Sequence, residues 1–141
     1  MEVEIHVEAD ELWGFVGDKS NQRWLWYAIE RGSGIVLAHH NDARTDAACQ
    51  CLLEKLSIFP IRMYYTDGWQ SYAALIPPEH HQIGKDNTWR IERTNLTVRT
   101  HIKRLHRKTI CFSKNERIHD NVIGMYLEHY YYNNPIYEEI A

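Results

Sequence analysis

The first part of the chain alternates loosely between apolar and polar side chains, a pattern that predicts β-strands. Apolar positions recur through residues 3–16 and dominate 23–29 and 35–40. Turn-forming residues at 17–21 and 30–34 separate the three runs. Since short turns join consecutive strands in an antiparallel arrangement, the chain is expected to begin with a three-stranded meander.

After the meander, the spacing of apolar residues switches between helical and strand periods. Thr45 is a suitable N-cap for a helix that runs to about Leu56. A buried strand is predicted over 61–66, a short helix over 69–75, and a short strand over 81–84.

Two further helices are predicted in the last third of the chain. The first runs from Arg90 to about His106, and the second follows a capping box at 113–116 and reaches about Tyr132. The inner face of the second helix is predicted to hold Ile118, Val122, Met125 and His129. A meander followed by a helical crossover predicts an α/β fold, in which a mixed sheet of antiparallel and parallel strands is flanked by helices.

Composition limits the classes of protein to be considered. A length of 141 residues fits a single domain, so 1–141 is expected to form one. The sequence has neither an apolar run long enough for a membrane span nor the features of a signal peptide, so we expect a cytoplasmic protein. Three cysteines, an odd number, argue against a disulfide framework.

Charge is distributed unevenly along the chain. The formal net charge is −3, yet the segment from Arg90 to Lys108 contains a single acid, Glu92, among many basic residues. A local basic stripe can bind nucleic-acid phosphates even on a mildly acidic protein. The candidate nucleic-acid-binding residues in this segment are Arg93, Asn95, Arg99, Lys103, Arg104 and Arg107.

Three carboxylates occupy positions from which they can converge. Asp10 lies in the first predicted strand, Asp67 follows the apolar run 61–66, and Glu92 opens a basic helix. Carboxylate oxygens are the ligands that hard divalent cations prefer. Each residue also has an ordinary interpretation, since Asp-Gly is common in turns and an acid in the first turn of a helix is favoured by the helix dipole.

Asp10 competes with two neighbouring acids for a place in such a site. In a strand, Glu8 and Asp10 share a face and Glu11 points to the other side. Asp10 is shorter and suits a rigid ligand, while Glu8 is left either beside it or facing solvent.

Several blocks of the chain resemble a known family. The segments 8–17, 65–69 and 90–99, which contain the three carboxylates, resemble the catalytic blocks of the IS1 family of transposases, and 104–114 is similar to its C-terminal part. The 24 residues between Asp67 and Glu92 match the short spacing of that family.

The resemblance implies a ribonuclease-H-like fold with a catalytic triad of Asp10, Asp67 and Glu92. It implies two Mg²⁺ or Mn²⁺ ions held by these carboxylates, DNA cleavage at the ends of an insertion element, and strand transfer by the freed 3'-hydroxyl. Arg99 matches a basic residue that such enzymes place near DNA phosphates. The expected partners are element-end and target DNA, a second copy of the chain in a homodimer, and a separate N-terminal DNA-binding region or subunit.

Two other functions stay open from the sequence. One is a ribonuclease-H-like nuclease acting on a structured or hybrid nucleic acid. The other is an inactive or repurposed domain that binds DNA or a partner without turnover.

Overall fold

The structure, a computed structural model, describes residues 4–16, 18–84, 88–101 and 116–128. Its sheet consists of five strands. These are β1 (Ile5–Val16), β2 (Asp18–Glu30), β3 (Val36–Asp42), β4 (Ile61–Thr66) and β5 (His81–Ile83).

The strands lie in the order β3-β2-β1-β4-β5. β1, β2 and β3 are paired antiparallel, whereas β4 runs parallel to β1 and β5 runs parallel to β4. Asp10 lies opposite Tyr27 of β2, and Glu8 lies beside Tyr65 of β4. The predicted mixed sheet, with its antiparallel meander and added parallel strands, is confirmed.

Four α-helices and one short 3-10 helix are present in the described parts of the chain. They are α1 (Asp46–Leu56), α2 (Gln70–Leu75), the 3-10 helix Pro78–His80, α3 (Trp89–His101) and α4 (Glu116–Leu127). The Thr45 hydroxyl accepts a hydrogen bond from the Ala48 amide at 3.2 Å, as expected of an N-cap. The predicted end of the third helix near His106 and the capping box at 113–116, apart from Glu116, lie outside the described residues.

Helices cover both faces of the sheet. On one face, Leu52 of α1 and Tyr72 of α2 join an apolar cluster with sheet residues that include Val7, Ala9 and Trp26. On the other, Ile91 of α3 and Ile123 of α4 join a second cluster with sheet residues that include Leu12, Leu25 and Tyr27. None of the described helices is long and apolar enough to cross a membrane.

Two expectations about local structure are wrong. Residues 18–21 were expected in a turn but belong to β2, where the Asn21 side chain donates to the Val16 carbonyl at 3.1 Å. In α4, Met125 was expected on the inner face but is 70% exposed, while Ile123 and Leu127 are buried. The inner face of α4 is therefore rotated from the predicted one, and the side chains of Ile118, Val122 and His129 lie outside the described set.

Candidate active site

The parallel pairing of β1 and β4 brings Asp10 and Asp67 together. Since Glu8 pairs with Tyr65, Asp10 lies beside the first residue after β4, which is Asp67. Oxygens of Asp10, Glu11 and Asp67 lie within 4.8 Å of one another. We call these three carboxylates the acid cluster; among the described residues it is the group with the geometry to hold a metal ion.

Asp10 is partly buried at the centre of this cluster. Its Oδ2 accepts a hydrogen bond from Asn95 Nδ2 at 2.8 Å, and its Oδ1 accepts one from the Glu11 backbone amide at 2.9 Å. Burial, reinforced by the charge of Glu11 and more weakly by that of Asp67, raises the pKa of Asp10 to about 7. The site therefore disfavours its own full ionisation, and a bound cation would reverse that preference.

The side chain of Asn95 is oriented by Tyr27. The fully buried Tyr27 hydroxyl lies within short hydrogen-bond distance of Asn95 Oδ1 and is 3.3 Å from the Ile91 carbonyl oxygen. An acceptor contact at Oδ1 leaves Nδ2 as the atom that faces Asp10. Tyr27, Asn95 and Asp10 thus form a chain of hydrogen bonds from the core to the acid cluster.

Glu11 is buried and bound on both oxygens. Its Oε1 accepts hydrogen bonds from Arg44 Nε at 3.2 Å and Arg44 Nη2 at 2.8 Å, and its Oε2 accepts one from the Tyr72 hydroxyl at 2.8 Å. Burial, together with the charge of Glu11, raises the pKa of Tyr72 well above its usual value, so this phenol stays protonated and donates.

Arg44 lies in the connection between β3 and α1, between two indole rings. Its guanidinium carbon is 4.9 Å from the ring centroid of Trp24 and 4.5 Å from that of Trp69. Cation–π contacts of this kind restrict a guanidinium that would otherwise move freely in water.

The turn after β4 presents Asp67 to solvent. Its Oδ1 accepts a hydrogen bond from the Trp69 amide at 3.2 Å, while the Thr66 hydroxyl accepts one from the Gly68 amide at 3.2 Å. Gly68 has φ +90°, and a Cβ at this position would lie 2.5 Å from Ile83 Cγ2. Glycine is required here because both the backbone conformation and the space exclude a side chain.

Glu8 connects β1 to the start of α3. Its Oε1 accepts hydrogen bonds from the backbone amides of Arg90 at 3.1 Å and Ile91 at 3.2 Å, and Arg31 Nε lies 3.8 Å from Oε2. Burial raises the pKa of Glu8, while the helix amides and Arg31 partly offset that rise. A carboxylate at this end satisfies amides that have no partner within the helix and also interacts well with the helix dipole.

The other predicted site residues lie on α3 or beyond it. Glu92 is exposed in the first turn, with the Thr88 hydroxyl 3.5 Å from Oε1, and it lies outside the acid cluster. Arg93 is exposed, whereas Asn95 and Arg99 are partly buried. Lys103, Arg104 and Arg107 lie outside the described residues. The structure thus brings together two of the three predicted carboxylates and adds Glu11.

The sequence argument did not find the roles of Glu11 and Arg44. Strand alternation puts Glu11 on the face opposite Asp10, and that is correct for the body of β1. At the edge where β4 ends, however, carboxylates from both faces can meet around Asp67. The available signal in the sequence was an acid in a strand of mostly apolar residues, because such an acid is buried if the strand is buried and then needs a partner.

The fold and the acid cluster define a ribonuclease-H-like domain with carboxylates on its central strand β1 and just after the parallel strand β4. A chain of the simian T-cell lymphotropic virus intasome, solved with PP2A regulatory subunit B56 gamma, matches with a TM-score of 0.64 at 15% identity. The match covers 92% of this chain and 49% of that one, and it confirms the predicted fold. A family model described as IS1 transposase matches residues 3–133, so the chain belongs to the IS1 transposase family.

Individual relatives agree with this assignment. The chain is 52% identical to the iso-IS1n protein InsB of Shigella dysenteriae, over 89% of this chain and 96% of that protein. It is 48% identical to the IS1 protein InsB of Shigella flexneri, over 87% and 95%. It is 46% identical to an IS1 InsB of Escherichia coli K12, over 92% and 78%. The predicted family is therefore confirmed.

Proposed function

We propose that the chain is the catalytic domain of a transposase that cleaves DNA at the ends of its element and joins the freed 3'-hydroxyl to target DNA. The main support, beside family membership, is the acid cluster formed by β1 and the turn after β4. Its ligand atoms are all carboxylate oxygens, which suit Mg²⁺ or Mn²⁺. The raised pKa of Asp10 is what an acid cluster without a cation is expected to show.

We further propose that Asp10, Asp67 and Glu92 are the catalytic and metal-binding residues. Two ions held by these carboxylates would stabilise the attacking and leaving oxygens of the phosphodiester. Glu92 is exposed on the first turn of α3, so its side chain can change rotamer to take part.

The surrounding residues position these groups and the DNA. Asn95, held by Tyr27, orients the carboxylate of Asp10, and Glu8 fixes the helix that carries Glu92. Charged residues of α3 and of the sequence that follows it are proposed to bind DNA phosphates, and such contacts hold the strand in register without reading its sequence. They are Arg93, Arg99, Lys103, Arg104 and Arg107.

The partners follow from the same proposal. The chain acts in the cytoplasm as one domain spanning 1–141, pairs with a second copy, and depends on a separate region or subunit to recognise the terminal repeats.

A second candidate function is a DNA- or partner-binding domain without catalytic activity. The observation that favours it is the position of Glu92 outside the acid cluster.

A strand-transfer assay tests the proposed function. The substrate is a pre-cleaved duplex that carries the terminal repeat of the encoding element and ends in a free 3'-hydroxyl, incubated with target plasmid and Mg²⁺ or Mn²⁺. The chain is assayed alone and fused to a heterologous DNA-binding domain whose site adjoins the repeat. Joined products are expected from the wild type and not from Asp10→Asn, Asp67→Asn or Glu92→Gln.

Glu79→Gln is the matched control, since Glu79 is an exposed acid in the 3-10 helix. It should retain joining. Activity that persists in all three carboxylate variants would contradict the metal mechanism. A wild-type fusion that binds DNA but forms no product would favour the non-catalytic function.

A further inference from the structure

Arg44 is held by three side chains, although it lies in the connection between β3 and α1 and is partly exposed. Its guanidinium contacts the rings of Trp24 and Trp69 and forms two hydrogen bonds with Glu11. A long side chain loses much rotamer entropy when it is held so closely. The planar guanidinium then presents its N–H donors in a fixed geometry. The side chain is therefore fixed in one orientation before any ligand arrives.

The Nη1 atom of this guanidinium takes no part in the bonds to Glu11. The bonds to Glu11 use Nε and Nη2, both on the same carboxylate oxygen, and none of them uses Nη1. The Arg44 side chain is 36% exposed, while the Glu11 side chain is only 2% exposed. Arg44 thus has its carboxylate partner on the protein side and retains donors for a group that approaches from solvent.

The position of the pair matters because Glu11 belongs to the acid cluster. A DNA phosphate that approaches Asp10 and Asp67 meets negative charge, which repels it. The ion pair with Glu11 brings a fixed positive charge to the edge of this cluster and offsets part of that repulsion. Guanidinium groups are also well matched in shape to phosphate oxygens.

We propose that Arg44 contacts a backbone phosphate of the DNA strand that lies at the acid cluster. Trp24, Trp69 and Glu11 hold the guanidinium in the orientation that this contact requires. The inference rests on the proposed function, since it names a substrate contact of the same site.

A purely structural role would be to fasten the connection between β3 and α1 to β1. Both roles predict some loss of stability when Arg44 is replaced, but only a phosphate contact changes the salt dependence of DNA binding. Each phosphate contact contributes about 0.9 to the slope of log affinity against log salt concentration. That slope is the discriminating measurement.

Arg62 provides a matched control. It is an arginine at the other end of the sheet, at the start of β4, with an exposed side chain 3.9 Å from Glu4. Arg62→Gln therefore changes the net charge by the same amount as Arg44→Gln but does so away from the acid cluster.

The experiment measures fluorescence anisotropy of a labelled duplex of arbitrary sequence, in EDTA, over a series of salt concentrations. Arg44→Gln is expected to weaken binding several-fold and to make the negative slope shallower by about 0.9, while Arg62→Gln leaves the slope unchanged. Arg44→Lys is expected to recover only part of the affinity, because lysine keeps the charge but loses the planar fork. Thermal melting of each variant accompanies the titrations.

An Arg44→Gln slope equal to that of the wild type, in a folded variant, would overturn the inference. If Arg44→Gln does not fold, phenylglyoxal labelling of the wild type decides, with mass spectrometry of each arginine. DNA should protect Arg44 and leave Arg62 reactive, and no protection of Arg44 overturns the contact. A wild type that binds no DNA even at low salt contradicts the proposed function itself, whereas wild-type binding with an unchanged Arg44 slope contradicts only this inference.

Discussion

Asn95 on α3 donates its side-chain amide to Asp10 on β1, with 2.8 Å between Nδ2 and Oδ2. The sequence placed Asn95 among the candidate DNA contacts. In the structure its amide nitrogen is directed at the carboxylate and its oxygen is in contact with the Tyr27 hydroxyl. In metal sites, groups that hydrogen-bond to a ligand orient that ligand and tune its basicity, and Asn95 is placed to do so if Asp10 binds a metal as proposed.

Replacing Asn95 by Ala is expected to weaken Mn²⁺ binding by about 10- to 100-fold. The loss of the amide removes a hydrogen bond that favours the ionised carboxylate of Asp10 and leaves its rotamer less restricted. Isothermal titration of the protein with Mn²⁺ measures the affinity. Asn121→Ala, at an exposed asparagine of α4, is the control and should bind like the wild type. Equal affinities for Asn95→Ala and wild type would contradict a positioning role.

The pKa of Asp10 predicts how stability depends on pH without divalent ions. Its folded pKa, about 7, lies above the ordinary value of 3.8, so the stability it contributes is present at low pH and is lost as pH rises to about 7. Asp10→Asn should therefore be more stable than wild type at pH 8, by up to about 4 kcal/mol. At pH 4 the difference should nearly vanish. Urea unfolding of both proteins at the two pH values, in EDTA, measures it.

The same pair of proteins should respond differently to a divalent ion. Mn²⁺ at pH 8 is expected to raise the melting temperature of the wild type, since it binds the folded state. Asp10→Asn should lose most of that rise, and Glu79→Gln should keep it. A similar rise in Asp10→Asn would show that the ion binds elsewhere.

Glu8→Ala is expected to destabilise the protein by about 1–3 kcal/mol, because two backbone amides of α3 lose their buried acceptor. Glu8→Gln should cost less, since the amide oxygen still accepts. Guanidinium unfolding measures both changes. Glu4→Ala, at an exposed acid of the same chain end, should lie close to wild type. A Glu8→Ala variant as stable as wild type would argue that α3 needs no anchor on β1.

Replacing Gly124 and Gly68 by alanine should change the stability of the fold in opposite directions. Gly124 lies within α4, where a Cβ would be 3.7 Å from His39 Nε2, an ordinary contact. Gly124→Ala should therefore stabilise the fold by about 0.5–1 kcal/mol through helix propensity. Gly68→Ala should destabilise it, because a positive φ and the contact with Ile83 both oppose a side chain. Thermal unfolding of the two variants, compared in one buffer, checks the signs.

Periodicity alone was enough for much of the architecture. The meander, α1 with its Thr45 cap, and β4 with the turn at Asp67 all follow from apolar spacing and turn residues that agree with one another. The parallel pairing of β1 with β4 follows once the crossover is taken to return to the meander, whereas the register that brings Asp10 beside Asp67 comes from the structure.

Other features depend on contacts between residues far apart in sequence. Around α4 the residues Val122, Ile123, Met125 and Leu127 are all apolar, so the sequence does not fix which side faces the sheet. At 18–21 the polar residues are typical of a turn, yet a hairpin can extend beyond the core with exposed polar residues in its strands. Glu11 contacts Arg44 in the connection before α1 and Tyr72 of α2, and no local sequence pattern reveals these contacts.

The anchorage of α3 by Glu8 has a consequence for how sequences of this type can diverge. Since the start of the helix is set from β1, its position depends less on the length of the segment that connects it to β5. Insertions and deletions in that segment can then accumulate over evolution with little effect on where the helix begins. Because Glu8 in the first strand sets where α3 begins, the position of Glu92 would then depend little on the number of residues between β5 and α3.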